Sequence, residues 1–405
     1  MTSTDRSCSS TRRSAAALHF LKKYFLEVVI NCIQLLIMFA GVSIPFVFFQ
    51  TLYWLIAFRY NLFYLYNEKY VMSIVMIFGA LIGGMTTEGG GAVAFPVMTI
   101  ALNISPVVAR DFSLMIQSCG GWHIIIRNGL TAASFTIFFM SIAVEWHSIV
   151  FSTFGSTFGI IFGFEIADQL LSAAEKKMMF VSVFFSFAIA LFLLNSERKR
   201  ITFDSIHNFT LFKAVILIAN GFIGGILTGI AGSGVDVCSF SILTLLFRIS
   251  EKVATPTSVV LMSANSMFGF FWRRYMDDAI SQDSWEYFAV CLPVVVFFAP
   301  LGSFMASHFH RLTLAVLIYI LETVALVGAV VVLRPALPLL CASASLVILS
   351  FAFYYAIGRY GKRMADQVTK LQQAKSISVD KNLTEAEDKG LDIWINHRLI
   401  FAVHF

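Results

Sequence analysis

Residues 88–96 read EGGGAVAFP. A carboxylate, three successive glycines and a proline stand together in a chain that is 58% hydrophobic, only 13% charged and has a mean hydropathy of +0.80. Such a composition belongs to an integral membrane protein. Apolar runs of about 17 to 25 residues recur along it, each long enough to cross a bilayer as a helix, and the short alternating segments of a transmembrane barrel are missing. Glycine and proline weaken helices, and a carboxylate in hydrocarbon is costly. Their concentration at one point predicts a helix broken inside the membrane.

A second stretch has the same order of features. Residues 80–121, ALIGGMTTEGGGAVAFPVMTIALNISPVVARDFSLMIQSCGG, can be set beneath residues 221–265, GFIGGILTGIAGSGVDVCSFSILTLLFRISEKVATPTSVVLMSAN. The IGG pairs match, the glycine run 89–91 meets GSG at 232–234, and a helix restarts at ISPVVA in one and ISEKVA in the other. Ser113 then falls opposite Ser258, and Ser118 opposite Ser263. The expected fold is an all-α polytopic membrane protein of two homologous repeats with glycine-broken half-helices, 70–194 and 211–358, plus an extra N-terminal span at 24–58. A basic leader (1–23), a basic linker (195–210) and a C-terminal tail (359–405) complete the chain.

Lysine and arginine near the spans set orientation. Arg12, Arg13, Lys22 and Lys23, then Arg198, Lys199, Arg200 and Lys213, then Arg359, Lys362 and Arg363 place the leader, linker and tail in the cytoplasm. The leader precedes an apolar stretch too long for a cleaved signal, so it reads as a retained anchor, with the plasma membrane as the default location. GSTFGIIFG at 155–163 is short and glycine-rich, which suggests a re-entrant or broken span. The six cysteines are scattered singly, without metal-ligand spacing, and read as small packing residues.

Short glycine-interrupted segments at corresponding positions of two halves point to a transporter's binding site. A helix that starts in mid-membrane presents unpaired N–H groups that favour an anion, and irregular backbone is tolerated there only where protein or a watery cavity surrounds it. Glu88 and Asp236 border the two breaks and are candidate proton carriers. Arg110 and Asp111 read either as a gate or as the anchor of a helix end. Arg273, Arg274, Asp277 and Asp278 read as a solvated charged loop. His123 and His308 read as interfacial. No cofactor, metal site, nucleotide-binding loop or catalytic constellation is recognisable, so the chain does not read as an enzyme or as an ATP-driven pump. A net charge of +5 confined to loops and tails makes nucleic acid an unsuitable partner.

The two quoted stretches resemble the first- and second-repeat signatures of the sulfite exporter TauE/SafE family: a glycine run, a proline in an apolar half, and a polar helix with a QxCGG-like end. The resemblance covers about residues 80–360. It implies a permease for sulfur-containing anions such as sulfite, sulfoacetate and other sulfonates, often an exporter. Residue by residue, it puts Gly89, Gly90, Gly91, Pro96, Gln117 and Gly120 of the first repeat, and Gly232, Gly234, Ser258, Ser263 and Asn265 of the second, near the substrate. Ser113, Ser118 and Ser233 join them as uncharged donors suited to an anion with several acceptor oxygens. The chain departs from the family pattern at Glu88, where a small residue is usual, and at Met115, near which a lysine is common. An anion channel, or a receptor or scaffold derived from the same bundle, are the alternatives.

Overall fold

A computed structural model of the chain describes residues 50–86, 89–118, 142–196, 200–306 and 308–402, together with 29, 43–44 and 47–48. The leader, most of the extra span, Glu88, Gly120, His123, Arg198 and Lys199 lie outside the described residues. Within them the chain is helical, with an isolated parallel bridge between Phe203 and Ile249.

Helix α1 covers residues 50–59. It is followed by α2 (Tyr66–Met85), α3 (Gly89–Pro96) and α4 (Pro106–Ser118), then by α5 (Trp146–Phe162) and α6 (Ala173–Ser196). After the linker come α7 (Leu211–Ala231), α8 (Val235–Ser241), α9 (Glu251–Phe271), α10 (Gln282–Ala306), α11 (Arg311–Leu333) and α12 (Leu337–Ala402). Among the described residues, seven helices are long and apolar enough to cross a membrane, beginning at Leu62, Trp146, Ala173, Leu211, Gln282, Leu312 and Leu337. The short helices α3 and α8 do not reach that length. Each runs into a π-helical turn, Val97–Ala101 after α3 and Ile242–Leu246 after α8.

Local chemistry explains where these elements stop. Gly232 closes α7 with φ of +83°, and its N–H donates to the Thr228 carbonyl at 2.7 Å. Only glycine adopts that left-handed conformation cheaply. Pro106 opens α4, where a missing N–H costs nothing because the first turn has no acceptor for it.

Side-chain pairs fix the relative directions of the helices. Lys69 meets Asp283 and Glu286, Ser73 donates to the Val290 carbonyl, and Gly302 lies against Leu81, so α2 and α10 run parallel. Helix α4 runs antiparallel to α9, with Asp111 on Arg273, Leu114 on Gly269 and Gln117 on Ser266. The linker is strapped down. Phe203 exchanges backbone bonds with Arg248 and Ser250, and the Ile206 N–H donates to Glu145 Oε2 at 3.0 Å. It thereby holds the starts of α5 and α9 together.

The glycine-rich stretch 155–163 is a correction to the expected break. Trp146–Leu170 is one continuous candidate span. A Cβ on Gly155 or Gly159 would overlap the carbonyl of Ile218 or Phe222 on α7, and one on Gly221 would overlap Ser152 in return. These glycines bring two parallel helices into backbone contact, which is how membrane helices associate without a hydrophobic driving force between them.

Candidate anion site

Arg110, Ser113 and Gln117 follow one another at i, i+3 and i+7 along α4 and therefore share a face. Gly91 and Gly232 approach that face. A Cβ on Gly91 would overlap Gln117 Nε2 and come within 3.3 Å of Ser113 Cβ. A Cβ on Gly232 would lie 2.6 Å from the Arg110 carbonyl and 2.8 Å from Ser113 Cβ. Ser113 thus stands between the two glycine-rich starts of α3 and of the segment leading into α8. Gly232 requires glycine for space and conformation, whereas a side chain at Gly91 would displace the Gln117 amide.

The polar atoms at this meeting point are not all paired. Ser113 is fully buried and Gln117 is 7% exposed, yet Ser113 Oγ and Gln117 Nε2 have no hydrogen-bond partner among the described residues. Gln117 Oε1 does have one, accepting from Ser266 Oγ at 2.8 Å, which orients the amide with its NH2 toward Gly91. Buried polar groups are nearly always satisfied, and leaving one unpaired costs about 1–3 kcal/mol. Two idle donors side by side are the chemistry an oxyanion requires.

The other expected residues have different surroundings. Gly90 faces Met76 and the Gly79 carbonyl of α2, with ordinary space around it. Gly234 is tucked against Leu227 and Gly224 of α7. Ser118, Ser258 and Ser263 bond the carbonyls of Met115, Ala254 and Val260 in their own helices, so their hydroxyls are satisfied locally. Asn265 donates to the Leu261 carbonyl at 2.7 Å and leaves Oδ1 unpaired among the described residues. Asp236, fully buried in the first turn of α8, accepts from Ser233 Oγ at 3.2 and 3.3 Å. Its carboxylate therefore stands at the start of α8, where the broken-helix reading places a ligand, and the Val235 N–H there donates to Thr228 Oγ1 at 3.3 Å. Ser266 was not among the expected residues. Its role follows from the antiparallel register of α4 and α9, for which a single sequence carries no signal.

One turn from Ser113 lies a buried ionic network. Arg110, 2% exposed, pairs with Asp111 at 3.1 Å and Asp168 at 3.0 Å, and Asp168 also meets Lys176 at 2.6 Å. Arg273 binds Asp111 at 3.1 Å and Asp277 at 3.2 Å, and both arginines pack on the ring of Phe164. The solvated loop expected at 273–278 is thus corrected in part. Arg273 folds inward because Asp111, buried on α4, needs a second counter-charge, whereas Arg274 pairs with exposed Asp278. Arg110 and Asp111 bind together α4, the end of α5, α6 and the end of α9, which is more than the anchoring of one helix end. With three cations against three carboxylates the network is neutral, so no spare positive charge faces Ser113.

A chain of several apolar spans around a small set of buried polar groups is an integral, multi-pass membrane protein. The family model described as sulfite exporter TauE/SafE matches residues 72–330, well over half of the chain and inclusive of every element of the site described here. Comparison with curated proteins and with solved structures returned no match. The chain belongs to the sulfite exporter TauE/SafE family of membrane permeases.

Proposed function

We propose that the protein is a secondary transporter of a small sulfur-containing anion, sulfite or an organosulfonate, that exports it by alternating access. The observation that carries the proposal is the pair of idle donors, Ser113 Oγ and Gln117 Nε2, buried between Gly91 and Gly232. A sulfonate or sulfite group offers several acceptor oxygens, and hydrogen bonds to a charged partner are worth about 1.5–3 kcal/mol each. Neutral donors are sufficient for it, and Arg110 is already balanced by Asp111 and Asp168.

The matching order of α2, α3 and α4 with α7, α8 and α9, each short helix running into a π-helical turn, supports the reading of two repeats at 70–194 and 211–358. Helix α2 ends before α3 as α7 ends before α8, and the α4 to α9 pairing is antiparallel, as inverted repeats require. Burial of Ser113 and Gln117 supports a carrier over an open anion channel, because an anion reaches them only when the surrounding helices move. In the same reading Asp236 competes with the substrate at the start of α8, and protonation of Asp236, with Glu88 as a second carrier, couples anion movement to protons.

The test is flux of labelled sulfite in liposomes holding the purified protein, with taurine and sulfoacetate as competitors, with and without a pH gradient. Wild type should move sulfite along the gradient, and Asp236→Asn or Glu88→Gln should uncouple the two. Absence of flux for every sulfur anion, from protein shown to be folded, overturns the proposal. Unitary currents in planar bilayers would replace the carrier by a channel.

A further inference from the structure

Helix α12 leaves the membrane in a way that fixes the depth of its basic residues. The 24 residues from Pro335 to Gly358 carry no charge, and Arg359, Lys362 and Arg363 follow at once. At about 1.5 Å per residue, the helix from Leu337 to Gly358 spans roughly 33 Å, against about 30 Å of hydrocarbon. Arg359, Tyr360 and Arg363 therefore stand at headgroup level. The positive-inside rule puts this end in the cytoplasmic leaflet, where anionic lipids reside.

An open, shallow hollow of about 500 Å³ lies along α12 at this level, lined by Ala356, Ile357, Arg359, Tyr360 and Arg363. Its chemistry has two halves. Ala356 and Ile357 precede the charged turn and lie deeper along the helix, and the two arginines, four residues apart, share one face at headgroup level. Arg359 also stacks on Tyr355 at 5.6 Å and donates to its hydroxyl at 3.3 Å, which orients the guanidinium while leaving donors over. The wall is rigid at this height. Arg248 donates to the Gly358 carbonyl at 2.6 Å, and Gly361 packs so closely on the Leu245 carbonyl that a Cβ would overlap it. These contacts fasten α12 to the π-helical turn that continues α8.

We propose that this hollow binds the headgroup of an anionic phospholipid, its phosphate held by Arg359 and Arg363 and its chains lying along the apolar surface of α12 that includes Phe353 and Ile357. Two guanidinium groups one helical turn apart, with Arg359 oriented by Tyr355, distinguish a site from a diffuse positive surface.

The experiment measures association of spin-labelled phosphatidylglycerol and phosphatidylcholine with the full-length protein in vesicles, reading the motionally restricted fraction of each. Wild type should prefer the anionic lipid by about thirtyfold, as two cations near the surface at about 1 kcal/mol each provide. Arg359→Gln/Arg363→Gln should reduce that preference to near unity, and Lys252→Gln/Lys370→Gln, which removes the same charge elsewhere, should preserve it. Equal loss in both double variants, or no loss in the arginine pair, overturns the site. A parallel arm adds inorganic phosphate to protein in purely zwitterionic vesicles. Arginine-dependent thermal stabilisation by phosphate, with no lipid preference, would make the occupant a soluble anion and likewise overturn the lipid assignment.

Discussion

Replacing Ser113 by alanine separates binding from folding, because the serine hydroxyl is fully buried and unpaired. An unsatisfied buried hydroxyl costs the fold about 1–3 kcal/mol, part of which its removal returns. Ser113→Ala should therefore leave the ligand-free protein as stable as wild type or more stable by about 1 kcal/mol. The anion, in contrast, loses one charge-assisted hydrogen bond of about 1.5–3 kcal/mol. At 1.36 kcal/mol per decade, its affinity should fall by about 10- to 150-fold. Thermal unfolding of purified protein without ligand gives the first quantity. The sulfite dependence of the unfolding temperature gives the second, since a ligand that binds only the folded state stabilises it. A variant that loses more than about 1 kcal/mol of stability while keeping its sulfite response would refute the reasoning, and Ser113 would then be a packing residue.

The two glycines with different surroundings should respond differently. Gly232→Ala forces a side chain into left-handed backbone and onto Arg110 and Ser113, and should cost about 2–5 kcal/mol in unfolding experiments. Gly90→Ala, which meets only the flexible end of Met76, should cost less than about 1 kcal/mol. Asp111→Asn strips the buried arginines of a shared partner and should destabilise by about 3–5 kcal/mol, whereas the paired replacement Asp111→Leu/Arg273→Met should recover much of that loss in the same assay. Gly159→Val drives a branched side chain into the Phe222 backbone, and size-exclusion chromatography in detergent should find it misfolded or aggregated.

The sequence alone determined the class of this molecule and the place to look within it. Apolar runs of spanning length require a helical membrane protein, because lipid leaves backbone polar groups no other partner. Glycine runs at 89–91 and 232–234, set in the same order of features, identified the family and singled out the ends of α2 and α7. Those signals are local, and so they survive in a linear string. Which serine is idle is a different matter. Ser113, Ser118, Ser258 and Ser263 look alike on their apolar helices, but three of them bond a carbonyl three or four residues back and one does not. That choice is set by what faces each serine, here Gly91 and Gly232, and only the packed helices bring those glycines to Ser113. The same holds for Ser266, Arg273 and the glycines of α5. Helix register supplies Gln117 with Ser266 and Asp111 with Arg273, and it turns an apparent break at 155–163 into a close seam between α5 and α7. Composition gives the kind of contact a residue can make, while the neighbour that it meets is decided by the tertiary structure.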